Sequence, residues 1–165
     1  MPTLLDRAIK IAIAAHASAE DPPGTPYILH PLRVLAAVSA GDDAHQDEAL
    51  QCVAILHDVL ERSATRPSQL RKAGMPAGVV RAVKLLTHAK GVSYADYVVR
   101  LKPDRLARAV KIADLLDNAD LRRVTFRPGK LKKDIPRLVR YAASYQFLTD
   151  QITRAAYLKV MNKTQ

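Results

Sequence analysis

Apolar and polar positions recur at the three- and four-residue spacing of helices along almost the whole chain, and no stretch alternates with the period of two that marks a strand. Residues 4–17, rich in Ala and Ile, read as a first helix, closed by the breaker cluster Asp21-Pro22-Pro23-Gly24-Thr25-Pro26. A second helix runs from about 27 or 31 to 40, with Pro31 tolerated in the first turn, and Gly41-Asp42-Asp43 ends it. The third, over about 46–62, contains the near-continuous apolar run LQCVAILHDVL at 50–60. A short helix at 68–73 stops at Gly74, and Pro76 opens another that reaches Leu86. Ser93 is placed to cap a helix over 94–101, and Pro103 starts one that runs to about 120. Asp134, with Pro136 in the first turn, is placed to cap a long final helix over 134–161. On it Leu138, Tyr141, Tyr145, Leu148, Ile152 and Ala155 form an amphipathic stripe suited to core packing. The expectation is an all-α helical bundle forming a single domain over residues 1–165.

Composition agrees with that reading. A chain of 165 residues, 48% hydrophobic and 25% charged, buries roughly 70% of its unfolded surface on folding. Charged residues interrupt every apolar run before it reaches membrane-spanning length, so no membrane is expected. Asp6, Arg7 and Lys10 lie too close to the first apolar stretch for a secretory leader. The single Cys52 excludes an internal disulfide and suits a reducing compartment, with the thiol in the core. A cytoplasmic location is the expectation.

Charge is uneven. Residues 1–60 carry three basic and eight acidic side chains, against 23 and eight over 61–165. The densest basic run, RRVTFRPGKLKKDIPRLVR at 122–140, suits steering of a phosphate-rich small molecule or a nucleic acid backbone, and equally a solvated surface. Nucleic acid is disfavoured as a partner: readers of single strands interleave stacking aromatics with charge, and here only Phe126 lies in the run. A homo-oligomer is left open.

Four residues stand out as candidate metal ligands: His30, His57, Asp58 and Asp114. His57 and Asp58 sit together inside the apolar run, His30 within Tyr27-Ile28-Leu29-His30-Pro31-Leu32, and Asp114 among Val110, Ile112, Ala113, Leu115 and Leu116. An imidazole or carboxylate buried there costs several kcal/mol, on the order of the penalty for any unpaired polar group, unless it is compensated. A hydrogen-bonded core pair would compensate, and so would a divalent cation. Two His with two Asp suit Mn²⁺, Fe²⁺, Mg²⁺ or Zn²⁺, with open positions left for water.

The ordered set His30-Pro31, His57-Asp58 and Asp114 resembles the HD superfamily of metal-dependent phosphohydrolases. It is most similar to the hydrolase domain of the RelA/SpoT type and its small stand-alone relatives. The carrying segments are His16 with Pro26-Tyr27-Ile28-Leu29-His30-Pro31, then Leu56-His57-Asp58-Val59-Leu60-Glu61, Ser93-Tyr94-Ala95-Asp96-Tyr97, and Val110-Lys111-Ile112-Ala113-Asp114-Leu115-Leu116-Asp117-Asn118, spanning roughly 5–125. The resemblance implies a helical HD domain in which His30, His57, Asp58 and Asp114 bind one divalent metal, Mn²⁺ first, with Mg²⁺, Fe²⁺ or Zn²⁺ as alternatives. It implies a phosphorylated nucleotide as substrate, guanosine tetraphosphate cleaved at its 3′-pyrophosphate. Glu61, one turn after His57, is then the candidate catalytic residue that orients or deprotonates water. Lys111 and Asn118 share a helical face with Asp114 and, with Tyr27 and Tyr94, are candidate substrate contacts. His16 supports the site or packs, and His45 and His88 are expected to be ordinary histidines.

Two departures stand beside the resemblance. The family follows its HD pair with Glu-Asp, whereas this chain has Glu61-Arg62. Between His16 and Tyr27 it places a Gln and a basic residue, where this chain has Ala19, Glu20, Asp21, Pro22 and Pro23. Two alternatives follow: hydrolysis of another nucleotide or phosphomonoester, and a degenerate HD protein that binds nucleotide or partner without turnover.

Overall fold

The computed structural model describes residues 2–21, 24–40, 47–120 and 131–163, with only the backbone described at Asp21, Leu131 and Lys133. His45 and residues 122–130 of the basic run, Lys130 among them, lie outside the described residues.

The described residues form ten helices and one two-stranded hairpin: α1 (Leu4–Ala15), β1 (Glu20–Asp21), β2 (Thr25–Pro26), α2 (Leu29–Val38), α3 (Glu48–Leu56), α4 (Val59–Arg62), α5 (Pro67–Lys72), α6 (Ala77–Leu86), α7 (Tyr94–Leu101), α8 (Arg105–Ala119), α9 (Leu131–Leu148) and α10 (Arg154–Met161). The expected all-α class holds, and no helix among the described residues is long and apolar enough to cross a membrane.

Short polar side chains start these helices by accepting the first orphan N–H groups. Thr3 forms a reciprocal capping box with Asp6, and Asp47, Ser93, Asp104 and Thr153 cap α3, α7, α8 and α10 through the N–H three residues on. Gly74 closes the turn after α5 at φ 84°, with Met75 N–H donating to the Leu70 carbonyl at 3.0 Å. That left-handed φ is what makes the turn need glycine.

Helix α3 is the spine. Residues Cys52, Val53, Ala54, Ile55 and Leu56 are all fully buried, and α3 packs against α1, α2, α6 and α8. A helix buried on every side carries no polar stripe, which is why its apolar run is continuous. Cys52 is a core thiol, as expected, and burial pushes it up to about 12.

Three expectations are corrected. The helix expected over 46–62 is interrupted: α3 stops at Leu56, His57 and Asp58 form a turn, and α4 begins at Val59. The Ala54 carbonyl accepts from the His57 ring at 2.8 Å, so a side chain takes up backbone capacity at the break. The long helix expected over 134–161 is two helices. Asp150 adopts a left-handed φ of 61° and pairs with Lys102 at 2.7 Å and with Arg108, while Thr153 caps the new helix. Asp134 is not an N-cap, because α9 already begins at Leu131; it is buried and faces Arg137 at 3.5 Å. The β1–β2 hairpin, which no periodicity marked, pairs Glu20 with Pro26 and Asp21 with Thr25. With Tyr27 N–H on the Ala19 carbonyl at 2.9 Å, it delivers Tyr27 to the start of α2.

Candidate metal centre

Four helical segments meet where their polar residues face inward. His30 comes from the first turn of α2, His57 and Asp58 from the α3–α4 turn, and Asp114 from α8. The Nε2 atoms of His30 and His57 lie 3.2 Å apart. Asp114 Oδ1 is 3.2 Å from His30 Nε2 and 3.9 Å from His57 Nε2. Asp58 Oδ2 lies 3.4 Å from His57 Nε2 and 3.8 Å from His30 Nε2. His30, His57 and Asp114 form the tightest group, with one ligand atom from each within 4.8 Å of the others, and all three are buried. The break in the third helix is what lets two successive residues both aim into one point.

The ring nitrogens that face away decide what this cluster can hold. His57 Nδ1 sits 2.8 Å from the Ala54 carbonyl, which only accepts, so Nδ1 carries the proton. His30 Nδ1 sits 2.7 Å from Asp117 Oδ2, again an acceptor. With a proton on Nδ1, each ring turns its Nε2 toward the other ring and toward the carboxylates. Acceptors converging at such distances require a positive charge between them. A proton supplies it in part: burial opposes charge on His30, but its hydrogen bonds to Asp114 and Asp117 prevail and push it up to about 9. A divalent cation fits the same point with the donor set such ions prefer, two imidazoles and one or two carboxylates.

The surrounding groups hold the candidate ligands in place. Arg33 fixes Asp117 through Nε at 2.7 Å and Nη2 at 3.3 Å. Lys111 donates to Asp114 Oδ2 at 2.7 Å and Asn118 to Oδ1 at 2.5 Å. Burial opposes ionisation of both partners, yet the Lys111 charge holds Asp114 well below the usual carboxylate range, and Asp114 holds Lys111 well above its ordinary value. The Tyr27 hydroxyl donates to Asp58 Oδ2. Burial first, then the Asp58 charge, lifts Tyr27 above its ordinary pKa. Arg62 stacks over the Tyr27 ring at 4.1 Å, with its Nε 3.5 Å from Asp58 Oδ2. Burial works against charge on Asp58, but His57 and Tyr27 keep it lowered.

All nine site residues expected from the sequence line one pocket of about 180 Å³. Glu61 lies on α4 and accepts the His88 backbone N–H at 3.0 Å. Tyr94 is packed against His88 and Tyr97, and its hydroxyl is buried without a hydrogen bond of good geometry among the described residues. His16 stays one layer back, its ring 5.1 Å from that of Tyr27, and burial lowers its pKa.

Several members went unrecognised in the sequence. His88, read there as ordinary, lines the pocket with Tyr97 and Tyr141. Asp117 and Arg33 complete the support of His30. Asp117 carried a signal, since it lies three residues after Asp114 and directly follows the apolar pair Leu115-Leu116. Arg33 carried none, because its partner is 84 residues away.

In its helical fold and its His-His-Asp cluster the chain is similar to HD-type domains of the RelA/SpoT kind. No protein-family model matches the chain. It is 30% identical over 125 residues to the GTP pyrophosphokinase rsh of Brucella ovis, covering 70% of this chain and 16% of that protein. It is 36% identical over 112 residues to a guanosine-3′,5′-bis(diphosphate) 3′-pyrophosphohydrolase of Danio rerio, covering 64% of this chain and 61% of the relative. A protein of the same name from Aquifex aeolicus is 27% identical over 136 residues, covering 78% and 19%. The chain thus spans about a sixth of the Brucella relative and under two thirds of the zebrafish one. Among solved structures, one described as a metazoan ortholog of SpoT that hydrolyses ppGpp superimposes with a TM-score of 0.71. That match covers 99% of this chain and 95% of the other at 22% identity, a likeness of fold.

Proposed function

We propose that this protein is a metal-dependent phosphohydrolase acting on a phosphorylated nucleotide, with guanosine tetraphosphate, cleaved at its 3′-pyrophosphate, as the substrate. The observation that carries the reading is the pair of Nε2 atoms 3.2 Å apart beside the Asp114 carboxylate, with each Nδ1 committed elsewhere. That constellation has little use without a cation. The relatives named as 3′-pyrophosphohydrolases support the substrate.

His30, His57, Asp58 and Asp114 would hold the ion, Mn²⁺ by preference and Mg²⁺, Fe²⁺ or Zn²⁺ otherwise. When bound it supplies Lewis acidity to the phosphoryl group and lowers the pKa of water. Glu61 accepts the proton of the attacking water. Its Oε2 is steadied by the His88 N–H, which leaves the second oxygen for that proton. Asn118, with its amide NH₂ on Asp114, keeps its carbonyl for a donor on the nucleotide. The Tyr94 hydroxyl offers a proton to a phosphate oxygen. Lys111 keeps Asp114 ionised and adds its charge to the pocket wall. A volume of 180 Å³ is below the roughly 300 Å³ at which drug-sized ligands are enclosed. It suits the diphosphate end, with the nucleoside outside. A single catalytic domain at work in the cytoplasm is the setting this reading calls for.

One observation favours a second reading. The Arg62 guanidinium lies against Asp58 and Tyr27, which suits a protein that retains nucleotide without turning it over. The deciding experiment is an assay of the Mn²⁺-loaded protein against a panel of phosphorylated nucleotides that includes guanosine tetraphosphate, with Asp58→Ala as control. Release of pyrophosphate from guanosine tetraphosphate, lost in Asp58→Ala, is the expected result. Turnover of a different member replaces the substrate, and silence across the panel with metal bound selects binding without turnover.

A further inference from the structure

A second concavity of about 680 Å³ lies between α4, α5, α6 and α7, and none of its lining residues belongs to the metal pocket. Five basic side chains line it: Arg66, Arg71, Arg81, Lys84 and Arg100. No acidic residue lines it. Arg81 is neutralised by Asp104 at 2.9 Å; the other four make no ion pair among the described residues. Gathering unpaired cations around one groove costs self-repulsion, which a bound anion relieves. Guanidinium groups suit phosphate oxygens in particular, because their forked donors engage two at once.

Charge is half of the argument. Between the cations the floor is apolar, made by Leu60, Val80 and Leu85. An inorganic ion would leave that floor in water, whereas a ligand with a flat or aliphatic body would cover it. The volume falls within the range of small-molecule sites, roughly 300–1,000 Å³. No aromatic side chain lines the groove, so the stacking platform that nucleic acid strands need is missing.

We propose that this groove is a second binding site for a nucleoside phosphate, with the phosphates on Arg71 and Lys84 and the base or sugar over Leu60 and Val80. The site is independent of the metal centre, and so of the hydrolase reading. Titration of the metal-loaded protein with guanosine diphosphate, followed by calorimetry, tests it as a difference in stoichiometry. Arg71→Gln/Lys84→Gln removes the charges, and Ala77→Phe fills the groove from an exposed position without touching them. Each is expected to lose one equivalent of ligand relative to wild type, through a weakening of about tenfold or more. Arg71→Lys/Lys84→Arg retains that equivalent. Unchanged stoichiometry in either of the first two variants, or equal loss in the charge-preserving one, overturns the proposal. Any equivalent left after the groove is blocked reports on the metal pocket alone, which keeps the two readings apart.

Discussion

At the scale of single residues, Asp117 governs what His30 can offer. A carboxylate 2.7 Å from Nδ1 fixes a proton on that nitrogen and leaves Nε2 for the proposed metal. Asp117→Asn is nearly isosteric but has an NH₂ to donate, so it allows the other tautomer, with the proton on Nε2 inside the cluster. Metal affinity is expected to fall about 10- to 100-fold, read by competition with a chelating dye. A smaller loss is expected in Arg33→Ala, which removes only the clamp on Asp117. Equal affinity in Asp117→Asn and wild type would show that His30 is oriented by packing instead. Arg62 poses the opposite question, because it touches Asp58, one of the proposed ligands, without being one. Its guanidinium draws on the Asp58 charge and stands next to Glu61, so an acid there strengthens both carboxylates as bases. Arg62→Asp is expected to raise kcat by roughly tenfold, about 1.4 kcal/mol of barrier, with a lesser change in metal affinity. Lost metal with an unaltered rate would contradict that role.

At the scale of elements, caps and breaks explain both what the sequence disclosed and what it concealed. Helix α7 was legible to the residue: Ser93 accepts the Asp96 N–H at 3.0 Å, and the apolar positions behind it keep one face. The break at His57-Asp58 was hidden, since a run buried on all sides has no period to lose and contains neither Gly nor Pro. The gap at residues 149–153 was hidden differently. The stripe through Leu148 and Ile152 continues across it, while Asp150 turns left-handed and is held by Lys102 and Arg108 from other helices. Asp104 is an element-scale device open to direct test. It accepts the Ala107 N–H at 3.0 Å and faces Arg81. Burial opposes its charge, but these hydrogen bonds hold its pKa below the usual value of 3.8. A depressed folded pKa contributes stability above the unfolded value, and that stability is lost as pH falls through the folded one. Asp104→Ala is expected to cost about 1 kcal/mol near neutrality. Asp104→Asn keeps the cap and loses only the charge, so its smaller deficit should begin to shrink at about pH 4, where the unfolded carboxyl titrates, and vanish only once pH falls below the lower folded pKa. Thermal melts across that range provide the check, and a deficit constant with pH would remove the charge from the account.

At the scale of the whole molecule, the first sixty residues and the rest differ in sign: three basic and eight acidic side chains against 23 and eight. The residues of the metal centre were legible because charge is rare where the surroundings are apolar. Their convergence was not, since His30 and Asp117 lie 87 residues apart and only folded helices bring them together. Net charge, by contrast, needs no fold to be read, and it sets how a polyanion approaches. A field summed over many cations raises the encounter rate of an anionic substrate, and salt screens it over about 8–10 Å. Neutralising Lys130, Lys132 and Lys133 together as Gln should therefore raise KM for a polyphosphate nucleotide at low ionic strength while leaving kcat alone. The gap between variant and wild type should close as salt is added. A KM indifferent to both charge and salt would mean that the substrate is gathered by contacts inside the pocket, with the basic half of the chain taking no part in its capture.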